Sequence, residues 1–154
     1  MGTLQTYKED FWLLLESGFI AANASNEDAA LKLFKASALL RPENVMTKVG
    51  VGYVHLLKLE LQKACQLFEE ALKQDSSSDV AKSLLGLAHA LTVKEVDQGK
   101  RLLQETIKNS KDPSVLKMAN TGLDFIDKFI AKSPTPVQGE MKTKSKKNSP
   151  KKAP

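Results

Sequence analysis

The sequence contains one cysteine, two histidines and one tryptophan in 154 residues, and no apolar run approaches the length of a membrane span. The single cysteine, Cys65, cannot form an internal disulfide, which excludes the class of small domains held together by disulfides. The N-terminal residues lack the basic and apolar stretches of a secretory signal. We therefore expect a cytoplasmic protein.

Sequence motifs of catalysis are also lacking. There is no GxSxG, no P-loop and no HExxH, so we expect neither an enzyme nor a cofactor. The two histidines, His55 and His89, are 34 residues apart. Matching positions in stacked repeats lie about one repeat apart, and we see no cysteine or carboxylate cluster to accompany them, so no metal site is expected. Both are predicted to be structural, and Cys65 to be a small buried side chain.

The positive charge is confined to the C-terminal segment. The chain has a net charge of +5, and residues 133–154 alone carry six lysines and one glutamate. The rest is therefore neutral overall and lacks the field that would attract nucleic acid. The segment has no aromatic residue to stack on bases and no apolar periodicity, so we predict that 133–154 is disordered and that nucleic acid is not the main partner.

A 34-residue period organises the remainder. Gly18, Gly52 and Gly86 follow it, and the same spacing relates Ala30 to Ala64 and Phe34 to Phe68; the third segment follows one residue late, with Gly99 and Leu103. Repeats of this length with this pattern are typical of tetratricopeptide repeats (TPRs), in which each unit is a pair of helices. Such units stack because one pair alone cannot bury its apolar face.

The period predicts an all-α TPR solenoid. We expect helices at 8–23, 26–40, 43–57, 61–74, 78–91 and 96–109, which form three pairs in repeats at about 11–44, 45–78 and 79–112. A seventh helix, 113–132, is predicted to cap the last pair and to complete a domain over 1–132. Pro42 and Pro113 are expected in the first turns of their helices, and Ser25 and Ser76 at helix N-caps.

Each repeated residue has a predicted packing role. A glycine within a helix costs stability relative to alanine, so its recurrence indicates that a neighbouring element passes too close for a side chain. Ala30 and Ala64 are expected to face these glycines. Phe34, Phe68 and Leu103 are expected to fill the space toward the next unit.

The first helices of successive TPR pairs line a concave groove, and here their predicted groove residues are apolar. They are Trp12, Leu15, Phe19 and Ala22 in the first unit, Met46, Val49, Tyr53, Leu56 and Leu57 in the second, and Val80, Ser83, Leu87, Ala90 and Leu91 in the third. An apolar groove of this size usually marks an interface. The alternative, that this face is part of the core, remains open. TPR co-chaperones that bind a terminal carboxylate use polar side chains on this face. The corresponding residues here are Leu15, Phe19, Gly50, Val80 and Leu84, and none of them can donate a side-chain hydrogen bond, so we do not expect a carboxylate-binding site.

A small three-repeat TPR protein with an apolar groove and a closing helix resembles the TPR chaperones of bacterial type III secretion, in the chlamydial and needle-chaperone branch. The residues that carry this resemblance are those of the repeat: Gly18, Ala30, Phe34, Pro42, Gly52, Ala64, Phe68, Ala71 and Gly86. The resemblance implies a protein client, bound as an amphipathic helix or an extended segment, with a co-chaperone or a second copy as further partners. A general TPR scaffold without a chaperone role is the main alternative, and a nucleic-acid adaptor acting through the lysine-rich segment is a third.

Overall fold

A computed structural model of the chain describes residues 4–131, and all regular structure in this range is helical. A 3-10 helix, Leu4–Asp10, precedes seven α-helices, and a π-helical turn, Ile126–Ile130, follows them. The α-helices are α1 Phe11–Asn23, α2 Glu27–Leu40, α3 Met46–Leu57, α4 Leu61–Gln74, α5 Asp79–Leu91, α6 Val96–Asn109 and α7 Pro113–Phe125. The predicted all-α class is confirmed. The predicted disordered segment, 133–154, lies outside the described residues.

Consecutive helices pack as pairs. The most extensive contacts join α1 to α2, α3 to α4 and α5 to α6. The first helix of each pair also contacts the first helix of the next, since α1 meets α3, α3 meets α5 and α5 meets α7. Helix α7 packs on both α5 and α6. It therefore holds the place that the first helix of a fourth pair would take.

The glycines allow close approach, but mainly to the large side chains of the second helices. A Cβ at Gly18 would lie 2.6 Å from the Phe34 ring, and the same ring lies against Gly50 in α3. A Cβ at Gly52 would lie 2.6 Å from the Phe68 ring. The atoms nearest to Gly18 and Gly52 thus belong to Phe34 and Phe68, and not to Ala30 and Ala64, which were expected to face these glycines. The Phe34 and Phe68 rings occupy the space that a side chain at Gly18 or Gly52 would need.

The core follows the same repeated positions. Phe34, Phe68 and Leu103 are among the largest fully buried side chains, and each belongs to one of three apolar clusters along the stack. Because Phe34 touches glycines in both α1 and α3, one residue serves the packing within a pair and between pairs. One period later, Phe68 takes the corresponding place against Gly52.

The helix N-termini differ from the prediction in their capping residues. Asn26 caps α2 by accepting a hydrogen bond from the Ala29 amide at 3.2 Å, and Ser78 caps α5 by accepting from the Ala81 amide at 3.4 Å. Pro113 occupies the first turn of α7 as expected. Pro42 instead lies in the turn before α3, where the Asn44 side chain accepts from the Met46 amide at 2.9 Å. Within residues 4–131, no helix combines the length and apolar character needed to cross a membrane.

Candidate functional site

An open apolar cavity of about 570 Å³ lies between α3, α5 and α7. Helices α3 and α5 are the first helices of their pairs, and α7 follows the last pair. Its lining residues are Leu56, Leu87, Ala90, Leu91, Ser114, Lys117, Met118, Thr121, Gly122 and Phe125. We call it the α3–α5–α7 groove. Only one of these residues is charged, so the groove suits an apolar ligand surface.

Two large apolar side chains on the groove are open to solvent. Leu91 at the C-terminal end of α5 is 37% exposed, and Phe125 at the end of α7 is 40% exposed. Apolar surface that stays in contact with water does not contribute the free energy that its burial would give. A partner that covered both would recover that free energy.

Helix α7 forms one whole wall of the groove, and this was not predicted. The sequence suggested a cap whose apolar stripe covers the last pair. Val115, Ala119 and Ile126 are buried in that way, but Met118 and Phe125 line the groove instead. The close approach of α7 to α5 depends on Gly122, where a Cβ would lie 2.6 Å from Leu87 Cδ2. Gly122 follows Gly86 by 36 residues, which is close to the 34-residue period. This spacing is the feature of the sequence that indicates a close approach of α7 to α5.

The structure brings four of the predicted groove residues together here. Leu56, Leu87, Ala90 and Leu91 line the groove, although Leu56 and Ala90 are largely buried. They come from α3 and α5, the central and third units, as the repeat pattern indicated. The predicted residues of α1 do not contribute to the lining of this groove.

Other predicted site residues belong to the core. Leu15 is 2% exposed and Val49 is fully buried, and Ala22 and Ser83 are buried as well. This corrects the expectation that they face an open groove. The first helix of each pair has neighbouring helices on several sides, so an apolar side chain on it is often buried between helices and not exposed in a groove.

The remaining predicted residues lie elsewhere. Two of them, Phe19 and Tyr53, form an aromatic contact between α1 and α3. Phe19 and Tyr53 have ring centroids 5.6 Å apart, and the Tyr53 hydroxyl donates a hydrogen bond to Asn23 Oδ1 at 2.6 Å. Burial raises the pKa of Tyr53. Met46 and Val80 are half-buried against the central core cluster. Trp12 and Leu57 are exposed, and neither lines the α3–α5–α7 groove.

The single charge at the groove is Lys117 of α7. Its ammonium group forms no ion pair within the described residues. An unpaired cation beside an apolar surface favours a partner that presents an acidic group next to its apolar face. The groove lining therefore has one charged group that can fix the orientation of a ligand.

A polar cluster lies apart from this groove, and it corrects the prediction for the histidines. His89, which is 5% exposed, places Nδ1 2.6 Å from Glu95 Oε2. The thiol of Cys65 joins them, and the three possible ligand atoms all lie within 4.8 Å of one another. The expectation that no cysteine or carboxylate accompanies the histidines is wrong for His89. Burial raises the pKa of the Cys65 thiol to about 11, with smaller contributions from Glu95 and Glu69.

Comparison with known protein families and with curated proteins gave no match to this chain. The assignment of a function therefore depends on the geometry of the described residues.

Proposed function

We propose that the chain is a non-enzymatic protein-binding module of the TPR type that holds an apolar segment of a protein partner in the α3–α5–α7 groove. The observation that carries the proposal is a cavity of about 570 Å³ between three helices, whose exposed surface is mainly apolar. Cavities of about 300–1,000 Å³ are large enough to enclose the side chains that anchor a ligand.

The occupant that fits best is an amphipathic helix with large apolar residues on one face. A helix that lies in a groove of this kind is anchored by side chains one or two turns apart. Leu91 and Phe125 are both exposed at the rim and would be covered by such anchors. Lys117 supports a partner that carries an acidic residue beside its apolar face.

We further propose that the partner is an export client held before secretion, as in the type III secretion chaperones that the sequence resembles. The apolar groove supports this because covering the self-associating face of a client would keep it from assembling too early. The alternative is a scaffold that joins folded proteins. A chaperone would bind its client before the client has folded or assembled, whereas a scaffold would bind folded partners.

Charge placed in the groove tests the proposal. Leu91→Asp and Phe125→Asp each put a carboxylate where an apolar partner would desolvate it, at a cost of several kcal/mol. We expect each variant to lose its co-purifying partner by more than tenfold. Leu39→Asp is the matched control, since Leu39 is 65% exposed on α2 and does not line the groove.

Circular dichroism must show that all three variants keep their helices. Equal recovery of every partner with the groove variants and with Leu39→Asp would overturn the proposal. A binding measurement then distinguishes a chaperone from a scaffold. The recovered partner is added to the purified chain before and after that partner has folded. A chaperone binds it before folding, and a scaffold binds it after folding.

A further inference from the structure

We propose that Cys65, His89 and Glu95 form a binding site for one divalent cation of intermediate softness, such as Zn²⁺. The three residues come from different elements: Cys65 from α4, His89 from the last turn of α5 and Glu95 from the turn that caps α6. This site is separate from the α3–α5–α7 groove and does not depend on the proposed partner-binding function.

The donor set suits such a cation. Zinc is bound by cysteine sulfur, histidine nitrogen and carboxylate oxygen at about 2.0–2.3 Å, often with three protein ligands and a water molecule. Ligand atoms of a tetrahedral site then lie about 3.5 Å apart. The atoms of this cluster all lie within 4.8 Å of one another, and a bound cation would draw them closer together.

Space for a fourth ligand is present beside the cluster. Cys65, His89 and Glu95 share a cleft of about 250 Å³, together with Gln62, Gln66, Glu69 and Thr92. A cation here would be reached from the surface through this cleft. The second carboxylate, Glu69, adds negative charge near the thiol.

The hydrogen bonds of His89 show how a cation would be accommodated. Gln98 places its amide nitrogen 3.2 Å from His89 Nε2, and His89 Nδ1 lies 2.6 Å from Glu95 Oε2. In the tautomer in which Gln98 donates to Nε2, Nδ1 carries the ring proton and donates to Glu95. A cation at Nδ1 would replace that proton. The ring proton would then move to Nε2 and the Gln98 amide would turn its oxygen toward it, a common outer-shell arrangement at metal sites.

Charges and protons balance in this scheme. The imidazole remains neutral because its proton moves from one nitrogen to the other. The Cys65 thiol releases one proton to solvent and becomes a thiolate. With the Glu95 carboxylate, the two negative ligands neutralise the divalent cation.

The preceding repeat supplies a natural control. His55 Nδ1 lies 2.5 Å from Glu60 Oε2, which reproduces the histidine–glutamate pair one period earlier. Leu31, however, stands 34 residues before Cys65, so the sulfur ligand has no counterpart there. The pair alone is therefore a structural link between helices, and the thiol distinguishes the later site.

Titration of Co²⁺ into the untagged, reduced full-length protein tests the proposal. We expect one equivalent to bind and to produce thiolate-to-cobalt charge-transfer absorption. Cys65→Ser should abolish this absorption, and His89→Gln and Glu95→Gln should each weaken binding by at least the roughly 10–100-fold that loss of an outer-shell partner causes. His55→Gln should bind Co²⁺ as the wild type does.

Zn²⁺ provides a second readout that does not depend on absorption. A cation that binds only the folded state raises the melting temperature, so Zn²⁺ should stabilise the wild type and His55→Gln but not Cys65→Ser. No charge-transfer absorption in the wild type at saturating Co²⁺ would overturn the site. Undiminished binding in both His89→Gln and Glu95→Gln would also overturn it, since a lone thiol would then account for the signal. Glu95 lies nearer the surface than His89, so Glu95→Gln keeps the test valid if the buried substitution unfolds the protein.

Discussion

Gly99 of α6 lies directly against the backbone of Ala90 in α5. A Cβ at Gly99 would stand 2.5 Å from the Ala90 nitrogen and equally close to the Gly86 carbonyl oxygen. Backbone atoms of two packed helices cannot move aside as a flexible side chain can. At this position, unlike Gly18 and Gly52, the close helix approach expected from the sequence is a contact between backbones.

Gly99→Ala should therefore destabilise the protein more than Gly86→Ala. At Gly86 the nearest atom to a new Cβ is Leu103 Cγ, at 2.9 Å, and the nearest backbone atom, the Gly99 carbonyl oxygen, is 3.2 Å away. Overpacking costs about 1–3 kcal/mol, and alanine recovers about 0.5–1 kcal/mol of helix stability at either site. Urea unfolding of both variants measures the difference. Equal stabilities would show that α5 and α6 are not held this close.

Ser83→Ala should stabilise the protein by about 1 kcal/mol. The Ser83 hydroxyl is fully buried in α5 and has no hydrogen-bond partner among the described residues, and leaving such a group unpaired costs about 1–3 kcal/mol. Ser37→Ala is the matched control, because the buried Ser37 hydroxyl donates to the Phe34 carbonyl at 2.8 Å. Thermal melts should show a rise for Ser83→Ala that Ser37→Ala lacks. A fall for both would mean that Ser83 has a partner in solution.

Glu60 should titrate far below an ordinary glutamate. Hydrogen bonds from His55 and then Lys58 lower its pKa from 4.5 to about 2. Because the folded-state pKa is lowered, the stabilisation is present above about pH 4.5 and is lost as the pH falls toward 2. The carboxyl chemical shift, followed by NMR against pH, measures this directly. A midpoint near 4.5 would show that these hydrogen bonds do not persist in solution.

The positions of the helices could be predicted because the 34-residue ladder fixes where each pair begins and which side of it is buried. Phe34 and Phe68 recur for a packing reason that applies to every unit. The direction of each apolar side chain around its helix was harder to predict. Leu15 and Val49 have the same apolar character as Leu87 and Leu91, and only the arrangement of neighbouring helices separates core from groove.

The cluster at His89 could not be predicted from local sequence. Cys65 and Glu95 are 30 residues apart, and only the packing of α4 on α5 and the turn before α6 bring them together. The groove wall formed by α7 was missed for a related reason. The sequence after the last repeat predicts a cap, although Gly122 nearly continues the glycine period.

Site-specific photo-crosslinking most directly tests the claim that the α3–α5–α7 groove binds a partner. A photoreactive phenylalanine analogue at position 125 would lie in the groove, and the same analogue at position 39 would lie on the exposed surface of α2. In the cells that express the chain, we predict a crosslinked partner from position 125 and not from position 39, with the attached peptide carrying apolar residues on one helical face and an acidic residue beside it. Equal crosslinking at both positions, or attachment to a peptide without an apolar face, would contradict the account.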